Sequence, residues 1–214
     1  MRRTVGGMEE SLGFRVPALL QSSPVVAIVE LCGSRASGTE GRYSDWDFRV
    51  STQDFAAFAP ELPRLVRALD PLVEQWDRLS DEACYMLIVS GPSKVDLIFA
   101  DVPHEHDPPW VVNGSTLSGI DDHFWDWVLW LTSKVDAGKD SLVAAELTKM
   151  HDHLLAPMGI PAPTTSLRDV VEQYISARDL WAERLGLVVD PSVEHEVVPI
   201  VHAVCRHSPN ETLT

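Results

Sequence analysis

The stretch Leu31–Val50, LCGSRASGTEGRYSDWDFRV, decides how this chain is read. It begins where a run of β-branched and apolar residues, Val25–Cys32 (VVAIVELC), comes to an end. Such a run, closed by glycine, predicts a buried strand. Gly33 and Ser34 follow at once and open a segment rich in Gly and Ser that has to turn. Asp45 and Asp47 then stand one residue apart, at the start of a second strand-like run, DFRVST. On a strand, residues i and i+2 project from the same face, so the two carboxylates repel each other unless a cation lies between them. Oxygen-rich sites with open positions suit Mg²⁺, which keeps waters and accepts phosphate oxygens as further ligands.

A third acid, Asp96, sits in KVDLIFA, a run that is otherwise apolar apart from Lys94. An acid in that setting needs a cation or hydrogen bonds. If the strands are neighbours, Asp45, Asp47 and Asp96 form one cluster, able to hold two Mg²⁺ about 3.5–4 Å apart around an in-line phosphoryl displacement. The loop suits the same chemistry. Gly33 lets the backbone approach a phosphate closely. Ser34 offers a hydroxyl and an N–H to phosphate oxygens, and a helix beginning there would add a partial positive charge. Arg35 and Arg42 are cations for a triphosphate tail.

Outward from this stretch, the first hundred residues read as mixed α and β. Residues 8–22 predict a helix interrupted near Pro17. APELPRLVRALDPL places Leu62, Leu65, Val66 and Leu69 on one helical face. CYMLIVS and KVDLIFA are strand-like runs joined at Gly91-Pro92, a hairpin signal. DVPHEHDPPWVVNG, from Asp101, has three prolines and no periodicity and reads as a linker.

Beyond the linker the chain reads as helical. Phe124, Trp127, Val128 and Leu131 recur at helical spacing, and Gly138 ends that helix. A second helix stops at Pro157 and Gly159. A third starts at a capping pair, Ser166 with Asp169. A fourth, residues 191–207, is weakened by Pro199. The expected fold class is α+β: a catalytic domain over residues 1–103 with a mixed sheet and flanking helices, a linker over 104–118, and a helical bundle over 119–214.

The pattern G-S-x10-D-x-D, with an Asp in an apolar strand about fifty residues later, resembles the DNA-polymerase-β-type nucleotidyltransferase superfamily. The string GSRASGT…SDWD is most similar to its small bacterial members, the aminoglycoside and other antibiotic nucleotidyltransferases. The likeness is tight over residues 31–50, supported at 94–97, and extends in layout to a C-terminal helical bundle. It implies that a nucleoside triphosphate, ATP in the first instance, binds with two Mg²⁺. An acceptor hydroxyl attacks the α-phosphorus and pyrophosphate leaves. Gly33 and Ser34 match the phosphate-loop pair, and Asp45 and Asp47 the metal-binding pair. Asp96 matches the third carboxylate, as a metal ligand or as the base near the acceptor.

The resemblance also gives weaker candidates in the second half. Relatives draw a general base from this region, where Asp121, Asp122 and Asp126 begin the first bundle helix. Asp121 and Asp122 read as carboxylates stabilised by the helix N-terminus, and Asp126 stands evenly between that reading and the base. Relatives also use a basic residue here against the triphosphate. Lys134 and Lys139 fit that role or that of cations favoured at a helix C-terminus. Trp125, Trp127 and Trp130 cannot share one face; Trp127 belongs to the core, and Trp125 or Trp130 is available to stack on a sugar or base. Trp46, between the two aspartates, points to the opposite face and packs under a helix. His104-Glu105-His106-Asp107 has no third ligand at metal spacing and reads as an exposed linker. His151 and His153 do not share a helix face, so no zinc site is expected.

Composition bounds the rest. The chain has 214 residues, 32 Asp and Glu against 17 Lys and Arg, and a formal net charge of −15. No apolar run is long enough for a transmembrane helix, and the opening MRRTVGGMEESLGF has no apolar segment of a secretory signal. Three scattered cysteines exclude a disulfide scaffold and suit a reducing cytoplasm. Residues 101–214 carry 18 acids against 7 bases. That balance disfavours nucleic acid as a partner and favours a cationic small-molecule acceptor of the aminoglycoside kind, while also serving solubility. Lincosamides, an endogenous metabolite, a protein or a tRNA end are the other acceptors, and a non-catalytic nucleotide-binding regulator is the reading from another class. The sequence leaves the oligomeric state open.

Overall fold

A computed structural model describes residues 6–206, with side chains from Leu12 onward. The basic opening Met1–Val5, on which the leader reading turns, lies outside the described residues, as do residues 207–214. The fold is α+β and divides into two compact units. One comprises the chain to Glu40 together with Ser44–His106; the other comprises Gly41–Tyr43 and the chain from Asp107 on.

The first unit is built on a five-stranded sheet of order β1-β2-β5-β4-β3, with β1 Val26–Cys32, β2 Trp46–Thr52, β3 Pro71–Trp76, β4 Glu82–Val89 and β5 Ser93–Pro103. β2 and β5 run parallel and the other pairs antiparallel, so the sheet is mixed. Strand alternation separates two faces. Trp46, Phe48 and Val50 of β2, Tyr85, Leu87 and Val89 of β4, and Val95, Leu97 and Phe99 of β5 are buried in one hydrophobic cluster. Helices α1 (Gly6–Leu20), α3 (Phe55–Phe58) and α4 (Leu62–Val66), with the 3₁₀ turn Arg67–Leu69, close that cluster through Leu12, Val16, Leu20, Phe58, Leu62, Val66 and Leu69. The alternate residues, Asp47 and Asp96 among them, project from the other face.

Three expectations change here. The helix over Pro17 is not interrupted, since α1 runs to Leu20. Pro17 lies inside the helix and gives up the backbone bond that its N–H would have made to residue 13. β1 is not a buried strand: it pairs with β2 alone, and Ala27, Ile28 and Glu30 are exposed. An apolar run shows that a strand forms, not whether it is central. β3 escaped the sequence reading, because PLVEQW does not alternate cleanly. Pro71 is its first residue, a position where a missing N–H is tolerated. Trp46, by contrast, lies under α1 as expected: a Cβ on Gly13 would fall 2.9 Å from its ring, so the helix can approach only because residue 13 is glycine.

The second unit holds α5 (Leu117–Asp136), α6 (Asp140–Met150, prolonged by a π-type turn His151–Leu155), α7 (Leu167–Leu185) and α8 (Ser192–Cys205). Its ends obey local chemistry. Ser166 Oγ accepts from the Asp169 N–H at 3.2 Å and caps α7. Gly138, at φ +64°, terminates α5, and the Lys139 N–H returns to the Lys134 carbonyl at 2.9 Å. α8 continues through Pro199. No helix of the described residues is long and apolar enough to cross a membrane.

Candidate active site

Strand register brings the acids together. The parallel β2–β5 pair sets Asp47 opposite Asp96, and the antiparallel β1–β2 pair sets Cys32 opposite Asp47. Asp45 immediately precedes β2 and is buried. One carboxylate oxygen from each of Asp45, Asp47 and Asp96 lies within 4.8 Å of the others. At that separation two unit charges repel by about 3–4 kcal/mol at an effective dielectric constant near 20. An oxygen-only set of converging carboxylates, with Asp45 buried and Asp47 and Asp96 half-buried, therefore fits a hard divalent cation such as Mg²⁺. Lys94, two residues before Asp96 on the same face of β5, is buried and donates from Nζ to Asp96 Oδ1.

The chain turns straight from β1 into α2 (Gly33–Ser37), so Gly33 lands against the cluster. Its φ is +65°, and a Cβ there would lie 2.2 Å from Asp47 Oδ2. Backbone conformation and steric approach thus both require glycine. The Ser34 carbonyl accepts from the Thr39 N–H at 2.9 Å and from Ser37 Oγ at 3.0 Å, which tightens the turn. Arg35 donates from Nε to the Asp45 carbonyl at 3.0 Å and from Nη2 to the Ser44 carbonyl at 2.6 Å. Its guanidinium carbon lies 4.2 Å from the centroid of the Trp46 ring. Arg35, a cation expected for a triphosphate tail, thus clasps the segment that delivers Asp45. Arg42 lies over the Tyr43 ring at 5.1 Å, within the tripeptide grouped with the second unit.

Two neighbours of the cluster were missed as site residues by the sequence reading. Lys94 was noted only as an exception in an apolar strand. Cys32 donates its thiol to the Asp47 carbonyl at 3.4 Å; burial, then the Asp47 charge, pushes its pKa up and keeps it neutral. A charged residue two before the acid was the available signal for Lys94. Nothing in the residue pattern marked Cys32.

In the second unit, Asp121 is not an N-terminal decoration. Asn113 and Thr116 organise the turn before α5, with Asn113 Oδ1 accepting from the Ser115 N–H at 2.8 Å. The helix therefore starts at Leu117, and Asp121 falls in its second turn. There it is buried and accepts from Tyr174 Oη at 2.8 Å, Trp125 Nε1 at 3.2 Å and Arg178 Nη1 at 3.4 Å. Burial raises its pKa against the opposing pull of these donors. Arg178 Nη1 also meets Glu194 Oε2 at 2.7 Å, joining α5, α7 and α8. Trp125 is fully buried, which removes it as a stacking platform; Trp130 is part-exposed, with Lys134 Nζ 4.9 Å from its ring centroid. Asp126 is buried on α5, and Lys139 is exposed beyond the end of α5. His104 Nδ1 bonds to the Ser80 carbonyl at 3.0 Å, and the exposed His106 reaches Asp81 at 2.9 Å.

No protein-family model matches the sequence, and no curated protein matches it. Solved structures do. The Cid1 poly(U) polymerase, in its Mg 3′-dATP-bound form, is 17% identical with a TM-score of 0.36; the match covers 45% of this chain and 31% of that one. A cytoplasmic RNA terminal U-transferase is 18% identical with a TM-score of 0.38, over 64% of this chain and 42% of that one. An aminoglycoside 6-adenyltransferase from Bacillus subtilis is 11% identical with a TM-score of 0.32, over 95% of this chain and 99% of that one. The chain thus spans less than half the length of the first two. All three likenesses are distant, each under 20% identical with a TM-score under 0.4.

Proposed function

We propose that this chain transfers a nucleoside monophosphate, AMP from ATP, to a hydroxyl of a small cationic acceptor of the aminoglycoside kind. One observation carries the proposal: three carboxylates converge within 4.8 Å beside a glycine whose backbone is pressed against one of them. Asp45 and Asp47 would hold Mg²⁺, with Asp96 as a further ligand or as the group that takes the proton. The bound metal would neutralise the triphosphate and the departing pyrophosphate. Gly33 and Ser34 present backbone N–H groups and a hydroxyl to the phosphates, and Arg35 fixes the loop that supports Asp45. Arg42, Lys134 and Lys139 are the cations proposed for the triphosphate tail.

The acceptor oxygen bonds to the α-phosphorus as the bond to the bridging oxygen of pyrophosphate breaks, and the hydroxyl proton passes to a carboxylate. Asp126 is the alternative to Asp96 for that proton. Asp126→Asn should lower kcat and leave ATP binding intact if it is the base, whereas lost ATP binding would make it structural.

The acidic balance of residues 101–214 supports a polycationic acceptor. The test is Mg²⁺-dependent pyrophosphate release from ATP and the other nucleoside triphosphates, across aminoglycosides, lincosamides and other hydroxylated antibiotics. Release that needs one panel member supports the reading. Silence with ATP still bound refutes the antibiotic acceptor and moves the assignment to a metabolite, protein or RNA end. ATP binding that ignores Mg²⁺ and Asp47→Ala would refute the site.

A further inference from the structure

The row of side chains one strand step beyond the acids is charged and open. On the sheet face that carries Asp47 and Asp96, the next residues along β2 and β1 are Arg49 and Glu30, set opposite each other by the strand register. The row continues into Ile98 on β5 and Cys84 on β4. Glu30 and Arg49 are exposed, Ile98 is half-buried and Cys84 is buried, so the row is reached from the β1–β2 side. Opposite charges facing each other across an antiparallel pair stabilise it when they meet. Here no ion pair joins Glu30 to Arg49, and neither has another ion-pair partner among the described residues.

Position gives the row its meaning. Gly33 and Ser34 follow Cys32, the partner of Asp47, so the loop lies at the Asp45 end of β2. The Glu30–Arg49 row lies on the opposite side of Asp47, about 7 Å farther along the strand. An in-line displacement puts the attacking oxygen and the departing pyrophosphate on opposite sides of the α-phosphorus. With pyrophosphate on the loop, the acceptor comes in over Glu30 and Arg49. A guanidinium there repels an ammonium and offers planar N–H donors to oxygen. A carboxylate beside it does the reverse. Directly opposed Cβ atoms are about 5 Å apart, the span of one sugar ring.

We infer that Glu30 and Arg49 orient the acceptor: Arg49 takes the oxygens flanking the reacting hydroxyl and keeps an ammonium away from them, and Glu30 receives the ammonium, so that the substrate is an amino alcohol with both groups on one ring. This inference rests on the small-acceptor reading proposed above. It leaves the triphosphate to the loop and gives Arg49 a separate partner.

The test uses the full chain with Mg²⁺, ATP and aminoglycosides, each compared with its N-acetylated form, which keeps the hydroxyls and loses the positive charges. Both side chains are exposed, so their substitution leaves the fold intact. Pyrophosphate release gives kcat and KM, and a fluorescent ATP analogue gives nucleotide affinity. In Arg49→Ala, kcat should fall about tenfold or more while KM for the aminoglycoside stays level or falls, because the acceptor then settles in unproductive orientations. Nucleotide affinity should stay within about twofold, since no phosphate contact is lost. Glu30→Gln should raise KM about threefold to tenfold with kcat nearly unchanged. It should also erase the penalty that acetylation imposes on the wild type.

Kinetics of Arg49→Ala that superimpose on the wild type overturn the inference. So does a loss of nucleotide affinity of about tenfold or more, which would make Arg49 a phosphate ligand. A Glu30→Gln enzyme as sensitive to acetylation as the wild type overturns it too. The underlying reading fails separately: a wild type that binds nucleotide yet turns over no aminoglycoside, acetylated or free, loses the acceptor class, and the inference falls with it.

Discussion

Gly33 and Gly38 offer a controlled comparison within one loop. Both have left-handed backbones, φ +65° and +68°. They differ in surroundings: a Cβ at Gly33 would lie 2.2 Å from Asp47 Oδ2, whereas at Gly38 nothing lies within 4 Å. Gly→Ala at either position costs about 1–2 kcal/mol for the left-handed conformation. For a chain of this size each kcal/mol lowers Tm by about 2–4 °C. Gly38→Ala should therefore melt a few degrees lower and otherwise behave as wild type.

Gly33→Ala carries the same conformational cost and a collision besides. To restore van der Waals contact the Asp47 carboxylate has to retreat by about 1 Å, a displacement of the size that costs about 10²-fold in rate when it misplaces a reacting group. Mn²⁺ affinity should drop by at least about tenfold in Gly33→Ala and stay within about twofold of wild type in Gly38→Ala. Calorimetric titration of Mn²⁺ alongside thermal melts reads both quantities on the same samples, before any acceptor is known. Equal Mn²⁺ affinities in the two variants would refute the claim that the loop backbone and the Asp47 carboxylate form one site.

Other perturbations probe the remaining parts. Asp45→Asn or Asp47→Asn should lower pyrophosphate release by about 10³-fold or more, and full activity in either would remove that residue from the metal site. Arg178→Ala leaves Asp121 and Glu194 without their shared cation in the second unit, and urea unfolding should show a loss of about 3–5 kcal/mol. A loss below 1 kcal/mol would mean the network contributes no net stability. Asp121 has a folded pKa raised above 3.8, chiefly by burial. The folded state thus holds its proton to higher pH than the unfolded state does, and this group's contribution falls as pH rises from 3.8 through the raised value. Asp121→Asn should remove that slope from the pH dependence of stability, and an unchanged slope would assign it to other groups.

The residue pattern disclosed more of the site than of its support. Asp45 and Asp47 were legible because strand periodicity puts i and i+2 on one face, and Asp96 because an acid inside an apolar run needs a reason. Their meeting depended on β2 and β5 being neighbours and parallel, a non-local fact that the pattern leaves open. The edge position of β1 was hidden for the same cause: apolar content reports strand formation, while the partner strands decide exposure. Asp121 was misread because its neighbours in sequence, Asp122 and Asp126, suggested a helix start. Two of its three donors, Tyr174 and Arg178, are more than fifty residues away.

Arg35 shows the converse. Its place after Gly33-Ser34 pointed to phosphate, yet both bonds seen from its Nε and Nη2 go to the carbonyls of Ser44 and Asp45, ten residues on and less. A guanidinium that closes the loop between two strands helps set where the first carboxylate stands. Arg35→Lys retains that charge and loses the forked pair of donors. If the clasp is the function, Arg35→Lys should weaken Mn²⁺ binding nearly as much as Arg35→Ala. If charge toward the triphosphate is the function, Arg35→Lys should bind Mn²⁺ and nucleotide as wild type does, and the clasp would be incidental.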